Sequence, residues 1–222
     1  MAFCEIEEFP RRVLRKHWPD VPIFKDVRTL HAGDLPEPVD VICGGYPCQD
    51  LSTAGKQQGF HGERSSLYTE MLRLIGECRP KYAIFENVPG LLDGDNGRWF
   101  AKFLYDLASV GFDAEWDSLP ASFLGADHRR KRIWIIAYPV GATVEGVDIQ
   151  KSLLAYTKKA FGWELARAVD ACIPADDYAR MRGTHDGVPA IMDRLRALGN
   201  AVVPQVVEVI GRAILAATAQ YK

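Results

Sequence analysis

The stretch Val39-Asp40-Val41-Ile42-Cys43-Gly44-Gly45-Tyr46-Pro47-Cys48-Gln49 decides how the rest of the chain is read. Its first half, residues 39–43, is an apolar run of strand length. Its second half is turn chemistry, with paired glycines and a proline, so the strand stops abruptly and a thiol stands just beyond it. In an α/β sheet, ligands lie outside the carboxyl ends of the parallel strands. A cysteine there is placed as a nucleophile. Two more apolar runs repeat the arrangement. Lys81-Tyr82-Ala83-Ile84-Phe85 ends in Glu86-Asn87-Val88-Pro89, and Ile133-Trp134-Ile135-Ile136-Ala137 follows Arg129-Arg130-Lys131-Arg132. A thiol, a carboxylic acid and arginines at strand ends point to covalent chemistry on an anionic, polar substrate.

Working outward, Phe3 to Ile6 reads as a short strand, Pro10 to Trp18 as a helix with proline in its first turn, and Pro22 to Lys25 as another strand ending at Asp26. Residues 51–62, with three glycines and little apolar periodicity, read as a loop long enough to act as a lid or binding element. Leu67, Met71, Leu74 and Ile75 have helical spacing over 65–78, with Ser65-Ser66 as caps. Asp93 to Gly97 is a turn, and a helix runs from Arg98 to about Ser109. Phe112 to Leu119 and Ile133 to Tyr138 look like paired strands. Alternating strands and helices predict a mostly parallel, doubly wound sheet. Signals weaken from Val140 to Arg182. Pro204 to Ala219 is an amphipathic helix with Val206, Val207, Ile210, Ile214 and Leu215 as its apolar residues.

Composition narrows the class. The chain has 222 residues, 48% hydrophobic and 25% charged, which suits a soluble globular domain with room for a core. There is no membrane-length apolar run and no secretory leader pattern. Five cysteines without Cys-x-x-Cys spacing argue against a disulfide framework and a zinc site, and fit a reducing cytoplasm. The histidines show no ligand spacing, so no metal is assigned. The net charge of −2 does not advertise nucleic-acid binding, but basic residues cluster at Arg11, Arg12, Arg15, Lys16 and at Arg129 to Arg132. Local clusters can form a binding surface on a neutral protein. The first cluster is read as a solvated helix face and Cys43 as a core residue.

Four strings, in this order, resemble the cytosine-5 DNA methyltransferases of bacterial and phage type: GGYPCQDLSTAGKQQGF, FENVPGLL, GADHRRKRIWIIA and RLRALGNAVVPQVVEVIGRAI. The resemblance covers nearly everything except about residues 140–180. It implies a Rossmann-like, S-adenosylmethionine-dependent methyltransferase sheet. It also implies methyl transfer to carbon 5 of cytosine in double-stranded DNA, often within a restriction-modification system. Cys48 takes the thiolate role. Glu86 holds ring nitrogen 3, its protonated form favoured by the apolar strand before it. Arg130 and Arg132 stabilise charge developing at carbonyl oxygen 2. The base has to leave the duplex first. Residues 52–61, including Ser52, Lys56 and Gln57, then close on it, Arg64 holds a phosphate, and Gln49 and Arg129 face DNA. Glu5 takes the ribose hydroxyls, and Asp26 with Val27 reads the adenine. Pro47, Leu67, Asn200 and Val202 match further cofactor positions.

The chain also departs from the pattern. His128 stands where the family has glutamine and Asp127 where it has proline. The glycine-rich turn that cradles the cofactor's methionine end would precede residue 1. The reading is therefore a sheet incomplete at its N-terminal side, weak or inactive alone, with a second chain supplying the strand as one alternative. The expected organisation is a catalytic core over 1–139, a small target-recognition region over 140–182, and a segment over 183–222 that returns to the core. Three hypotheses stay open: a cytosine methyltransferase; an inactive remnant or one half of a split enzyme that binds DNA or a partner; and a thiol redox protein using Cys43 and Cys48.

Overall fold

The computed structural model describes residues 1–36, 38–46, 67–121, 130–142, 202 and 204–219. Strand β1 (Phe3–Cys4) is followed by helix α1 (Glu8–His17), strand β2 (Ile23–Phe24) and two 3₁₀ turns, Val27–Thr29 and Ala32–Asp34. Then come β3 (Val41–Gly45), α2 (Leu67–Cys78), β4 (Tyr82–Asn87), the short helix α3 (Gly90–Asp93), α4 (Arg98–Ser109), β5 (Phe112–Pro120), β6 (Lys131–Pro139) and α5 (Pro204–Ala219). Each element that the sequence predicts within the described residues is present, with ends shifted by a few residues.

The described strands form two sheets. β1 and β2 pair in parallel, Phe3 with Ile23 and Cys4 with Phe24. The second sheet has the order β3-β4-β6-β5. β3 and β4 are parallel, whereas β6 runs antiparallel to β4, so the alternation of strand and helix overstated the parallel character of this sheet. β5 and β6 are neighbours, as their joint pattern suggested. β6 is buried from Ile133 to Ala137, which explains its unbroken apolar sequence.

Two compact units divide the chain: residues 1–116 with 133–143, and residues 117–132 with 144–222. The core of the first gathers Tyr68, Met71, Leu72 and Ile75 of α2, Phe85 of β4, Leu91, Phe100, Phe103 and Leu107 of the α3–α4 region, and Ile133 and Ile135 of β6. The turn before α4 has left-handed backbone at Asp95, Asn96 and Gly97, residue types that tolerate it. In the second unit, α5 buries Val206, Val209, Ile210, Ala213 and Ile214, a stripe at i, i+3, i+4, i+7 and i+8. Val207 and Leu215, expected on that stripe, are exposed, Leu215 at 70%.

Two other sequence readings change. Arg11 is not on a solvated face: it is 8% exposed. Its Nη1 donates to the carbonyls of Glu5 (2.9 Å) and Ile6, while Nε and Nη2 reach Glu8 Oε2. It thereby satisfies backbone acceptors at the β1–α1 junction. Arg12, Arg15 and Lys16 are exposed, as expected. Cys43 is exposed rather than core, because β3 alternates exposed and half-buried positions and Cys43 lies on the exposed side with Val41 and Gly45.

Candidate active site

The acid of the predicted site is placed by strand register. Parallel pairing sets Gly45 of β3 opposite Glu86 of β4, one residue before β4 ends. A Cβ built on Gly45 would lie 3.1 Å from Glu86 Oε2, so the carboxyl sits against the bare backbone of β3. The other carboxyl oxygen is shielded from solvent. A Cβ on Gly44 would meet the Met71 side chain at 3.2 Å. The paired glycines thus serve two close approaches, one to a core methionine and one to the acid. Asn87 is fully buried at the end of β4, and its Oδ1 accepts the Val88 amide at 2.8 Å.

Tyr46 roots the segment that leads to Cys48. It is buried, its ring 5.7 Å from that of Tyr68 and 6.2 Å from that of Phe103. Phe103 also meets Phe85 edge-on at 5.1 Å. Tyr68 donates its hydroxyl to Asp106 Oδ2 at 2.5 Å, and burial, followed by this bond, pushes its pKa up. An aromatic anchor therefore ends immediately before Pro47.

The arginines lead into β6. Arg130 accepts the Ala121 amide on its carbonyl at 2.9 Å, and its Nε is shielded from solvent. Arg132 donates from Nη1 to the Lys131 carbonyl at 2.9 Å. Residue 132 directly precedes Ile133, the antiparallel partner of Asn87.

A second group of carboxylates follows β1 and β2. Glu5 Oε1 accepts the Glu7 amide at 2.8 Å. Both oxygens of Asp26 are held by Arg28, through its backbone amide (3.0 Å), Nε (2.9 and 3.1 Å) and Nη2 (2.6 Å). The Arg28 side chain, and next its backbone amide, hold the Asp26 pKa down at about 2. Glu5 fits a ligand that offers hydroxyl donors, since its second oxygen accepts no bond from a described residue. Asp26 fits an amino donor only when the exposed Arg28 side chain gives way. Val27 and Leu67 open the 3₁₀ turn and α2, and Val202 is exposed two residues before α5.

Among the predicted residues, the structure thus places Glu86, Arg130, Arg132, Glu5, Asp26, Val27, Leu67 and Val202. Pro47, Cys48, Gln49, Ser52, Lys56, Gln57, Arg64, Arg129 and Asn200 lie outside the described residues. Sequence reading missed Tyr46, the seat of Glu86 on Gly45, and Arg73, whose bonds to the 27–30 backbone are described below. Only Arg73 carried a signal: Glu70, Arg73 and Glu77 have i+3 and i+4 spacing, which reads as an ordinary helix surface.

The model of the family described as C-5 cytosine-specific DNA methylase matches residues 1–170. The chain is 36% identical over 113 residues to the Type II methyltransferase M.BsuFI of Bacillus subtilis, covering 51% of this chain and 27% of that protein. It is 31% identical over 166 residues to the Type II methyltransferase M1.ScrFI of Lactococcus lactis subsp. cremoris, covering 75% of this chain and 42% of that protein. The chain thus spans less than half the length of these relatives. Among solved structures, a DNA modification methyltransferase encoded within an E. coli prophage superposes with a TM-score of 0.53 at 26% identity, over 64% of this chain and 41% of that one. This likeness supports the Rossmann-like methyltransferase fold read from the sequence.

Proposed function

Because the chain belongs to the C-5 cytosine-specific DNA methylase family, we propose that it methylates carbon 5 of cytosine in double-stranded DNA through a covalent adduct on Cys48. The observation that carries this reading is the register of Gly45 beside Glu86: the carboxyl lies against the strand whose next residues are Tyr46, Pro47 and Cys48. The Cys48 thiolate attacks carbon 6 of an extruded cytosine, forming a carbon–sulfur bond and driving electron density to carbon 5. Glu86 lends a proton to ring nitrogen 3. Arg130 and Arg132 stabilise negative charge at oxygen 2. After alkylation, water takes the proton from carbon 5, the carbon–sulfur bond breaks to release the Cys48 thiolate, and the proton on nitrogen 3 returns to Glu86, which restores the aromatic ring. S-adenosylmethionine, when bound, supplies the methyl group. Glu5 would hold its ribose hydroxyls, Asp26 and Val27 its adenine, with Pro47, Leu67, Asn200 and Val202 as further contacts. Gln49, Ser52, Lys56, Gln57, Arg64 and Arg129 would face DNA, and residues 140–182 would read the target.

A duplex substituted throughout with 5-fluorocytosine tests the chemistry, because fluorine at carbon 5 blocks the final elimination. Incubation with S-adenosylmethionine is expected to yield a denaturation-resistant protein–DNA adduct that disappears in Cys48→Ser and falls steeply in Glu86→Gln. An adduct that survives Cys48→Ser would exclude the nucleophile. No adduct with the unmodified chain would exclude catalysis by this chain alone and favour the second reading, one half of a two-chain enzyme. That reading draws on the separation of β1–β2 from the four-stranded sheet among the described residues.

A further inference from the structure

One side chain ties α2 to the 3₁₀ turn that follows Asp26. Arg73 Nη2 donates to the carbonyls of Val27 (2.9 Å) and Leu30 (2.8 Å), which bracket the turn. Nε donates to Glu70 Oε2 at 2.9 Å and Nη1 to Glu77 Oε1 at 2.6 Å. Glu77 in turn accepts the Ala32 amide on Oε2 (3.0 Å) and meets His31 Nδ1 (3.2 Å). The Ala32 amide first, and then Arg73, hold the Glu77 pKa down at about 2, so this carboxylate stays charged over the working pH range.

The two acceptors on α2 aim the guanidinium. The two backbone carbonyls lie 46 and 43 residues away in sequence, and Nη1 also lies 3.1 Å from His31 Nδ1. An exposed i,i+4 ion pair alone contributes little. The bonds to backbone carbonyls matter more, because Leu30 is buried and these are the bonds that reach the turn from α2. A planar fork with five donors reaches two carbonyls and two carboxylates together, whereas a lysine ammonium has three donors on a single point. The turn starts with Val27 directly after Asp26, and the helix that carries Arg73 starts with Leu67. Both ends of the tie are therefore elements assigned to the cofactor.

We propose that Arg73 is a positioning residue for nucleoside binding, holding the Asp26–Val27 backbone against α2 before the cofactor arrives. The inference rests on the S-adenosylmethionine reading above. Without the guanidinium, the carbonyls of Val27 and Leu30 turn to water, the turn samples other conformations, and ligand binding has to select the competent one.

Calorimetry with S-adenosylmethionine, paired with amide hydrogen exchange, tests it on the full chain. Arg73→Ala is expected to weaken binding about tenfold, the cost of a competent turn populated only about a tenth of the time. Arg73→Lys should fall between. Exchange should quicken at residues 27–34 while Leu72 and Ile75 in α2 stay protected. At saturating cofactor, the rate of adduct formation should stay within about twofold of the unmodified chain, since the loss lies in binding. Unchanged affinity in Arg73→Ala, with binding by the unmodified chain intact, would overturn the inference alone. So would a loss of protection spread through α2 and β4, which would mark a purely structural role. Failure of the unmodified chain to bind S-adenosylmethionine would remove the cofactor reading and the inference with it.

Discussion

Two parallel strand pairs in the first unit end in carboxylates, and they hold them by opposite means. At the end of β3 and β4, Glu86 rests on bare glycine backbone and the chain beyond Gly45 is anchored by Tyr46 among buried aromatic rings. At the end of β1 and β2, Glu5 and Asp26 accept bonds from nearby amides and a guanidinium, and the neighbouring turn is held by Arg73 and Glu77. The first region depends on packing, which is insensitive to salt and pH but intolerant of changes in volume. The second depends on charge and hydrogen bonds at half-exposed positions, where water competes and the contribution is smaller. Under the proposed function, the packed end carries the acid and the polar end the cofactor contacts.

The contrast breaks most readily at Phe103, which is fully buried and touches the rings of Tyr46, Tyr68, Phe85 and Phe100. Phe103→Ala should destabilise the first unit by about 3–5 kcal/mol in urea titration, with little dependence on salt. A strongly salt-dependent loss would mean that packing is not what holds that end.

Gly45→Ala tests the seat of the acid directly. The added methyl would lie 3.1 Å from Glu86 Oε2, so the carboxyl has to give by a few tenths of an ångström, and the loss should fall well short of the roughly hundredfold cost of a 1 Å misplacement at a reacting group. Adduct formation with 5-fluorocytosine DNA should slow accordingly while S-adenosylmethionine affinity stays unchanged. A parallel loss in both would show that the two strand ends are not independent.

The smallest effects belong to the ionic region. The pKa values of Asp26 and Glu77 are lowered from their ordinary 3.8 and 4.5 to about 2. A depressed carboxylate stabilises the folded state above its unfolded pKa, and that contribution is lost as pH falls through the folded pKa. Protection of residues 26–34 should therefore hold at pH 5 and above, then fade from about pH 4.5 toward pH 2, before the β3–β4 core opens. Arg73 and His31 face Glu77, and Arg28 faces Asp26. Glu77→Gln should remove much of the pH dependence, followed amide by amide. Simultaneous acid opening of both regions would erase the distinction between them.

Much of this was legible from residues alone. Apolar runs bounded by glycine, proline and charge marked β3, β4 and β6, since a buried strand needs continuous apolar residues and its end needs turn chemistry. Helical spacing located α2, α4 and α5. The exposed side of β3, the α5 stripe that takes in Val209 and Ala213 while leaving out Leu215, and the antiparallel entry of β6 were not legible. They depend on what packs against each face, which a local pattern does not encode. Arg11 shows the same limit: a basic residue in a basic run, buried because carbonyls at residues 5 and 6 lie within its reach.

The order of chemistry along the chain, with a thiol, an acid and arginines each beside an apolar strand, was determined by the sequence, because strand ends and the residues next to them are neighbours by covalent connection. Tertiary structure alone decided that Glu86 leans on Gly45, that Tyr46 is pinned by Phe103, and that Arg73 reaches the carbonyls of Val27 and Leu30. Those pairs lie some 40 to 60 residues apart, and only strand register and helix packing bring them within bonding distance.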